Sequence, residues 1–497
     1  MIAPRGTSSL LVAFSALVTL ALGACWDDDS PAAPADAGAT DAATDAGLPT
    51  IDPSDELRLP GFAVVKLRVG AQGSVALVEK PTSCESMPAL PVRQLRWFLH
   101  LSDADFYGSY VPAADEQLLD FALHPSGEVT AVAAGADAYR LLRFDASGTL
   151  RATTLLADPD AANDPFIDFS GPSAPPPLPG FAPRATVDAA RLAPLGEDVA
   201  VVTRTGIDTV VAFGYDIESS GTLTRRFRTV IEAGIVLIPV GISGATAGTV
   251  DTFGQLDNAF HVFIDAAADG AGFTVAVAET AFTTPMVVAG HRSHFHENLW
   301  RRPGGGIKSQ WGAVLTRLDR EGQRVVSMYV DAPVEAELQG LRTVGDATYV
   351  LGRMQTQSGA DGWDAYAAAV DSASLQLRWF TPVDVEAGDV LFDVAAAGAE
   401  RLVAVGATRY TQNPSGFSIS EAAPLAIFLA RGDGAPGARL DIPVGPHHNE
   451  LRSIVEVDPG RALRLGGFDD GPATHSAEGD PSRMSADGFL RTLRLPR

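Results

Sequence analysis

VLTRLDREGQRVVSMYV, residues 314–330, has the pattern of two strands around a tight turn. Apolar and polar residues alternate up to Asp319, a turn of Arg320, Glu321 and Gly322 follows, and a second extended stretch begins at Arg324. Two such stretches around a short glycine-containing turn specify an antiparallel hairpin. The same plan recurs in LLRFDASGTLRATTLL (141–156), AAAVDSASLQLRWFTPV (367–383) and FLARGDGAPGARLDIPV (428–444), with GYDIESSGTLTRRFRTV (214–230) as a looser copy. A unit that repeats along a chain buries its apolar face by stacking on its neighbours, so the repeat outranks any single copy as evidence of architecture. In this alignment Asp145, Asp319, Asp371 and Asp433 fill one turn position, and the RGD tripeptide at 431–433 reads as turn rather than as an adhesion signal.

Each of these hairpins is preceded by another, as in LLDFALHPSGEVTAVAAG (118–135), LFDVAAAGAERLVAVGAT (391–408) and LRSIVEVDPGRALRLGGF (451–468). Two hairpins make a four-stranded antiparallel sheet, and a ring of such sheets, a β-propeller, leaves few edges exposed. Six units begin near residues 118, 187, 260, 338, 390 and 451. The last ends at DGFLRTLRLPR (487–497), which matches DAYRLLRFDAS (137–147) and stops where a third strand stops. GFAVVKLRVGAQGSVALVEK (61–80) and RQLRWFLHL (93–101) supply spare strands, one of which is expected to close the final blade. Seven blades are favoured over six. The fold class is therefore all-β, a propeller of four-stranded antiparallel blades over residues 57–497. A pair of β-sandwiches competes, but leaves the shared hairpin plan unexplained. Trp97 and Trp379 align at equivalent strand positions as packing residues.

With their Asp, glycine turn and following Trp or Arg, these repeats resemble the divergent propeller repeats of large secreted and lipid-anchored bacterial proteins. The resemblance covers most of residues 61–497 and implies a fold, not an activity.

The N-terminus holds one base, Arg5, and an apolar run from Leu10 to Leu22, too short to span a bilayer and of the length of an export signal, residues 1–24. Leu22, Gly23, Ala24 and Cys25 resemble the bacterial lipobox, which implies that Cys25 is acylated and becomes the mature N-terminus. At about 0.8 kcal/mol per buried methylene, three acyl chains would hold the protein on a membrane permanently. The competing reading is an ordinary secretory signal, which leaves Cys25 to pair with Cys84, the other cysteine of the chain. Residues 25–56 read as a disordered acidic linker: from Trp26 to Glu56 there are nine acids and no base. As a coil it would reach about 30 Å. Trp26 after the cysteine favours the outer membrane under the sorting rule of enteric bacteria. The expected location is the cell envelope, with the domain outside the cytoplasm. A formal charge of −24 argues against nucleic acid and anionic lipid surfaces as partners.

Turns inside hairpins are short, as at 145–148, 196–198, 319–322 and 458–460, whereas long connections occupy 102–117, 157–186, 239–258, 282–310, 354–364, 409–424 and 470–486. In a propeller these two sets fall on opposite faces, so ligand binding is expected on the long-loop face. HRSHFHENLWRR (291–302) there offers His291, His294, His296 and Glu297, joined by His447, His448 and His475. Imidazole nitrogen and carboxylate oxygen are the usual ligands of Zn²⁺ and similar ions, although Arg292, Arg301 and Arg302 would oppose a cation. No nucleophile with an orienting base stands out. The expectation is a membrane-anchored extracytoplasmic lipoprotein, a noncatalytic binding or scaffolding propeller for protein or glycan, with no cofactor implied. The alternative is a propeller enzyme with a divalent metal at His291, His294, His296, Glu297, His447 and His448.

Overall fold

The computed structural model describes residues 49–80, 92–98, 108–135, 138–160, 166–168, 190–204, 209–218, 222–232, 234–236, 261–279, 312–330, 336–356, 362–410, 422–444, 449–470 and 486–496. Among them the regular structure is thirty strands, twenty-eight of which form seven four-stranded antiparallel sheets. Blade 1 contains β2 (Ala63–Gly70), β3 (Gly73–Lys80), β4 (Val92–Phe98) and β5 (Gly108–Tyr110). Blade 2 contains β6 (Gln117–Leu123), β7 (Val129–Ala134), β8 (Tyr139–Phe144) and β9 (Leu150–Leu156). Blade 3 follows with β11 (Ala190–Leu195), β12 (Asp198–Arg204), β13 (Val210–Ile217) and β14 (Leu223–Glu232). Blade 4 has β16 (His261–Asp269), β17 (Gly272–Glu279), β18 (Gly312–Asp319) and β19 (Arg324–Val330). Blade 5 has β20 (Ala336–Val344), β21 (Ala347–Gln355), β22 (Trp363–Asp371) and β23 (Leu377–Val383). Blade 6 has β24 (Val390–Ala396), β25 (Arg401–Thr408), β26 (Ala423–Ala430) and β27 (Pro436–Arg439). The remaining two strands, β10 (Phe166–Asp168) and β15 (Gly234–Val236), pair in parallel between the connections that follow blades 2 and 3.

Blade 7 is completed across the chain. Its strands β28 (Asn449–Asp458), β29 (Ala462–Asp470) and β30 (Ala486–Arg494) are joined by β1 (Thr50–Leu59), which pairs antiparallel with β30, Leu57 opposite Leu490 and Leu59 opposite Gly488. The ring is thus closed by an N-terminal strand, as the missing fourth strand required. The donor, however, is not 61–80 or 93–101, which build blade 1, but a segment that begins inside the acidic stretch read as linker. Leu57 and Leu59 are buried, and Glu56 meets Arg491. An outermost strand needs only a few apolar anchors, and charge on its free edge discourages further pairing.

The first strand of each blade faces the axis, and these seven strands adjoin one another in order, β28 meeting β2. Apolar clusters lie between every pair of neighbouring blades: for example Leu192, Val199 and Phe213 of blade 3 against Leu119, Val132 and Tyr139 of blade 2. Each large side chain buried this way contributes about 1.5–3 kcal/mol. The strand alternation places one face of every sheet on the preceding blade and the other on the next, so both faces are apolar in the inner strands.

Two sequence alignments need correcting. The Asp371 amide donates to the Gln376 carbonyl and Leu375 N–H returns to Asp371 O; in blade 6 the matching bonds run Ala430 to Ala435 and Gly434 to Ala430. Ala430 therefore holds the slot of Asp145, Asp319 and Asp371. Asp433 sits three residues later in the same turn, where its Oδ1 accepts the Ala435 N–H at 3.0 Å. Trp97 lies on the third strand of blade 1 and Trp379 on the outer strand of blade 5, so they are not equivalent by strand. What they share is a partner. A Cβ at Gly148 would lie 3.0 Å from Trp97, and one at Gly434 would lie 2.4 Å from Trp379. Phe227 of blade 3 holds the same relation to Gly322 of blade 4, at 2.3 Å. The turn glycine of each of these blades is the lid on an aromatic ring of the blade before it. With φ of +76° and +75°, Gly322 and Gly434 also need the left-handed backbone that side chains disfavour.

Candidate functional site: the central channel

The connectivity sets the two faces. Turns between first and second strands, and between third and fourth, lie at one end of the ring; connections between second and third strands, and between blades, lie at the other. Six of the long segments, from 157–186 to 470–486, attach at that second end. The seventh, 102–117, does not belong wholly to it: residues 102–107 lead into β5 at the tight-turn end, and only 111–117 cross to β6. His291, His294, His296, Glu297, His447, His448 and His475, with Cys25 and Cys84, lie outside the described residues. Among the described residues no group of three His, Cys, Asp or Glu side chains is placed to hold a metal ion.

The described structure concentrates its polar chemistry at the axis. In six blades the first strand carries a register slip: between Val64 and Lys66, Leu118 and Asp120, His261 and Phe263, Leu338 and Gly340, Leu391 and Asp393, and Leu451 and Ser453. Such a bulge adds an unpaired residue and re-aims its neighbours. In four of these blades the residue just after the slip, Lys66, Asp120, Asp393 or Ser453, is polar and lines the channel. Asp120 Oδ2 accepts the Leu192 N–H of the next blade at 2.9 Å, and Asp265 Oδ2 accepts the Leu341 N–H of the next at 2.9 Å. Asp393 Oδ2 accepts the Ile454 N–H at 3.1 Å and the Ser453 hydroxyl at 2.9 Å; Ser453 Oγ accepts the Leu67 N–H at 3.1 Å. Four of the junctions around the hub are therefore tied by one side-chain oxygen capping the backbone of the following inner strand. Each such bond to a charged acceptor contributes about 1.5–3 kcal/mol.

Cations answer these carboxylates. Lys66 Nζ is 2.5 Å from Asp120, Arg191 Nε is 3.7 Å from Asp265, and Arg68 and Arg342 both stand 3.9 Å from Asp393. Arg452 pairs with Glu450 and lies 4.2 Å over the Phe392 ring. Burial is the main force on these groups. It pushes Lys66 down to about 8 against the pull of Asp120, and Arg68 down to about 10, with the neighbouring charge of Arg342 adding to the effect. Burial alone would raise Asp120, but Lys66, Arg191 and the Leu192 amide hold it below the ordinary carboxylate range. Asp265 is raised, because burial outweighs Arg191 and Lys66. The space between these groups is about 290 Å³. At the tight-turn end, His124 is held between the Gly196 carbonyl (2.9 Å) and Thr130 Oγ1 (2.8 Å), and burial drives it down to about 4, so it stays neutral at physiological pH. It is a strut between blades 2 and 3.

None of the hub residues stands out by spacing or motif. The available signal was a lone charge inside an otherwise apolar strand, as in LLDFAL, VFIDAAA and LFDVAAA, at one position of the repeat. A buried charge demands a partner, and only a ring brings those partners together.

Fold and hub together define a seven-bladed propeller with a charged axial channel. No family model matches the chain. No curated protein matches it either. Among solved structures, BamB from Moraxella catarrhalis is similar at 12% identity and a TM-score of 0.37, over 90% of this chain and 100% of that one. A prolyl endopeptidase is similar at 14% identity and 0.38, over 84% and 46%, and a quinohemoprotein alcohol dehydrogenase from Pseudomonas putida at 11% and 0.40, over 89% and 75%. The fold assignment rests on the strand order of this chain.

Proposed function

We propose that this chain is a lipid-anchored envelope protein whose propeller is a binding scaffold for a protein or glycan, held by the face that carries the long connections. The single observation that supports this reading is sidedness. At the tight-turn end the described turns are short and bonded to themselves, as where Asp145 Oδ1 accepts the Ser147 and Thr149 amides at 2.9 Å each. The other end receives six long segments, each attached to a rigid blade, which is how loops are presented for recognition. Cys25 would carry the acyl chains, and the acidic stretch ahead of β1 would be the spacer.

The test is capture from solubilised envelope with a chain that begins at residue 47, which keeps β1; a chain starting at residue 57 would lose most of the strand that closes blade 7. Expected is a partner that is lost when 409–424 is replaced by a short turn and kept when Ser147 is changed. Retention after loop replacement, for 409–424 and for 282–310 in turn, would refute the face assignment. Anchoring is read separately: labelled fatty acid should enter the wild type and not Cys25→Ser.

A further inference from the structure

Past the hub, toward the tight-turn end, the channel contains a second chamber of about 230 Å³. Its charged lining residues are Lys66, Arg68 and Arg342, with no carboxylate among the described residues that line it. The rest of the wall is mainly apolar, including Phe121, Leu192 and Ala267. Charge counting identifies what is missing. Lys66 is matched by Asp120. Arg68 and Arg342, on blades 1 and 5, share one carboxylate, Asp393, at 3.9 Å each, too far for a hydrogen bond. Both Asp393 oxygens are already in use, Oδ1 by the Val394 N–H at 2.9 Å and Oδ2 by Ser453 and Ile454. Two guanidinium groups that repel one another are thus left one negative charge short.

We propose that this chamber binds a small organic monoanion, a carboxylate with a short apolar tail, its head between the Arg68 and Arg342 guanidinium groups and its tail on the apolar wall. One uncompensated positive charge calls for one negative charge. Planar guanidinium donors suit a carboxylate, and the alanine and leucine wall suits methylenes. The volume equals the share of roughly seven or eight waters, enough for a chain of about four to six carbons. Entry is from the tight-turn face, where a recess of about 380 Å³ lined by Gly70, Gly196 and Gly270 shares Arg68, Leu123 and Pro194 with the chamber. This site is independent of the scaffold face and lies at the opposite end of the ring.

The experiment is calorimetric titration of the full chain with hexanoate, with hexanamide and hexanol as neutral probes and inorganic phosphate as a dianion. Expected is one hexanoate per chain with Kd of about 1 mM or tighter, and no saturable heat from the neutral probes. Arg68→Gln and Arg342→Gln should each weaken hexanoate about tenfold or more, while Arg378→Gln, on the outer strand of blade 5, leaves it unchanged. The two arginines sit on different blades, so if one variant fails to fold the other still reports. No hexanoate binding by the wild type at about 20 mM, equal binding in a folded Arg68 or Arg342 variant, or tighter binding of phosphate than of hexanoate would each overturn the proposal.

Discussion

Neighbouring blades are held by opposite chemistries at the rim and at the hub. At the rim, Trp97, Phe227 and Trp379 slide under a turn glycine of the next blade, and the contact is close and mainly apolar, with the Trp379 indole N–H also donating to the Arg431 carbonyl. At the hub, Asp120, Asp265 and Asp393 cap the next inner strand, surrounded by Lys66, Arg68, Arg191 and Arg342. The difference follows from geometry. Blades diverge outward, so the rim has room for rings, whereas at the axis seven strands converge around an open channel and its wall offers polar groups. Rim contacts confer stability with no further use; a polar hub costs desolvation and leaves a surface able to recognise charge.

The rim is the place to break the ring hardest. Gly434→Ala would set a Cβ 2.4 Å from Trp379 Cε3 and 2.5 Å from Thr381 Oγ1, on a backbone with φ of +75°. A loss of about 3 kcal/mol or more is expected in denaturant unfolding. In a Trp379→Ala background the further cost of Gly434→Ala should fall by about 1 kcal/mol or more, leaving the backbone term and the Thr381 contact. Equal penalties in the two backgrounds would show that ring and glycine do not act as a pair.

At the hub, Asp393→Ala deprives the Ile454 N–H and the Ser453 hydroxyl of their acceptor and leaves Arg68 and Arg342 without a counter-charge. The expected loss is about 2–4 kcal/mol, measured by the same unfolding. Added hexanoate should recover part of it if an anion can stand in for the carboxylate. Asp393→Ala stability equal to wild type would mean that the hub charges only line the channel and do not tie blades.

Between rim and hub runs the connection from β23 to β24, and its Asp389 sharpens the contrast by titrating. The side chain is fully buried, its Oδ2 accepting the Val385 N–H at 2.6 Å and the Glu386 N–H at 3.0 Å. Burial pushes it up to about 7, with Asp364 and Asp384 adding repulsion against the two backbone donors. The folded state then binds the proton more tightly than the unfolded chain, whose value is about 3.9. Stability is therefore greatest below that value and falls as pH rises through about 7, by about 2–3 kcal/mol between pH 5 and pH 8. Asp389→Asn should flatten this slope in urea midpoints taken across the range. A variant with the wild-type slope would assign the titration elsewhere.

The rim was far more legible than the hub. Hairpins, their glycines and the blade count follow from local alternation, because turn chemistry acts over a few residues. The register of the blade 6 turn is ambiguous in the sequence because Asp433 and Ala430 are three residues apart in a turn one residue longer than those at Asp145 and Asp319, and only the hydrogen bonds separate them. The closing strand is hidden for a related reason: acidic TIDPSDE resembles linker, and what makes it a strand is pairing, at Thr50, Ile51 and Glu56 to Leu59, with a strand more than 400 residues away. Hub residues are single charges whose partners lie on other blades, as with Arg342 and Asp393. No local pattern encodes such a pair; it exists only once the ring has closed.

Asp371, in the rim turn of blade 5, gives the mirror image of Asp389. Its Oδ1 accepts the Ser374 N–H at 2.9 Å and the Ala373 N–H at 3.1 Å, and Oδ2 accepts from Arg378 at 2.7 Å. The Ser374 amide first, then Arg378, hold this carboxyl below the ordinary range. A depressed value reverses the sign: the contribution is complete above about 4, the unfolded value, and is lost as pH falls through the folded one. The group is partly open to water and its turn is short, so Asp371→Ala should cost only about 1 kcal/mol at neutral pH, the typical worth of a side-chain cap on backbone amides. The gap between the unfolding midpoints of wild type and Asp371→Ala should narrow steadily as pH falls below about 4, where the unfolded chain takes up the proton and the folded carboxyl still resists it. A gap that persists undiminished into strong acid would mean that the turn is held by its backbone bonds and by the buried Leu375, and not by the charge.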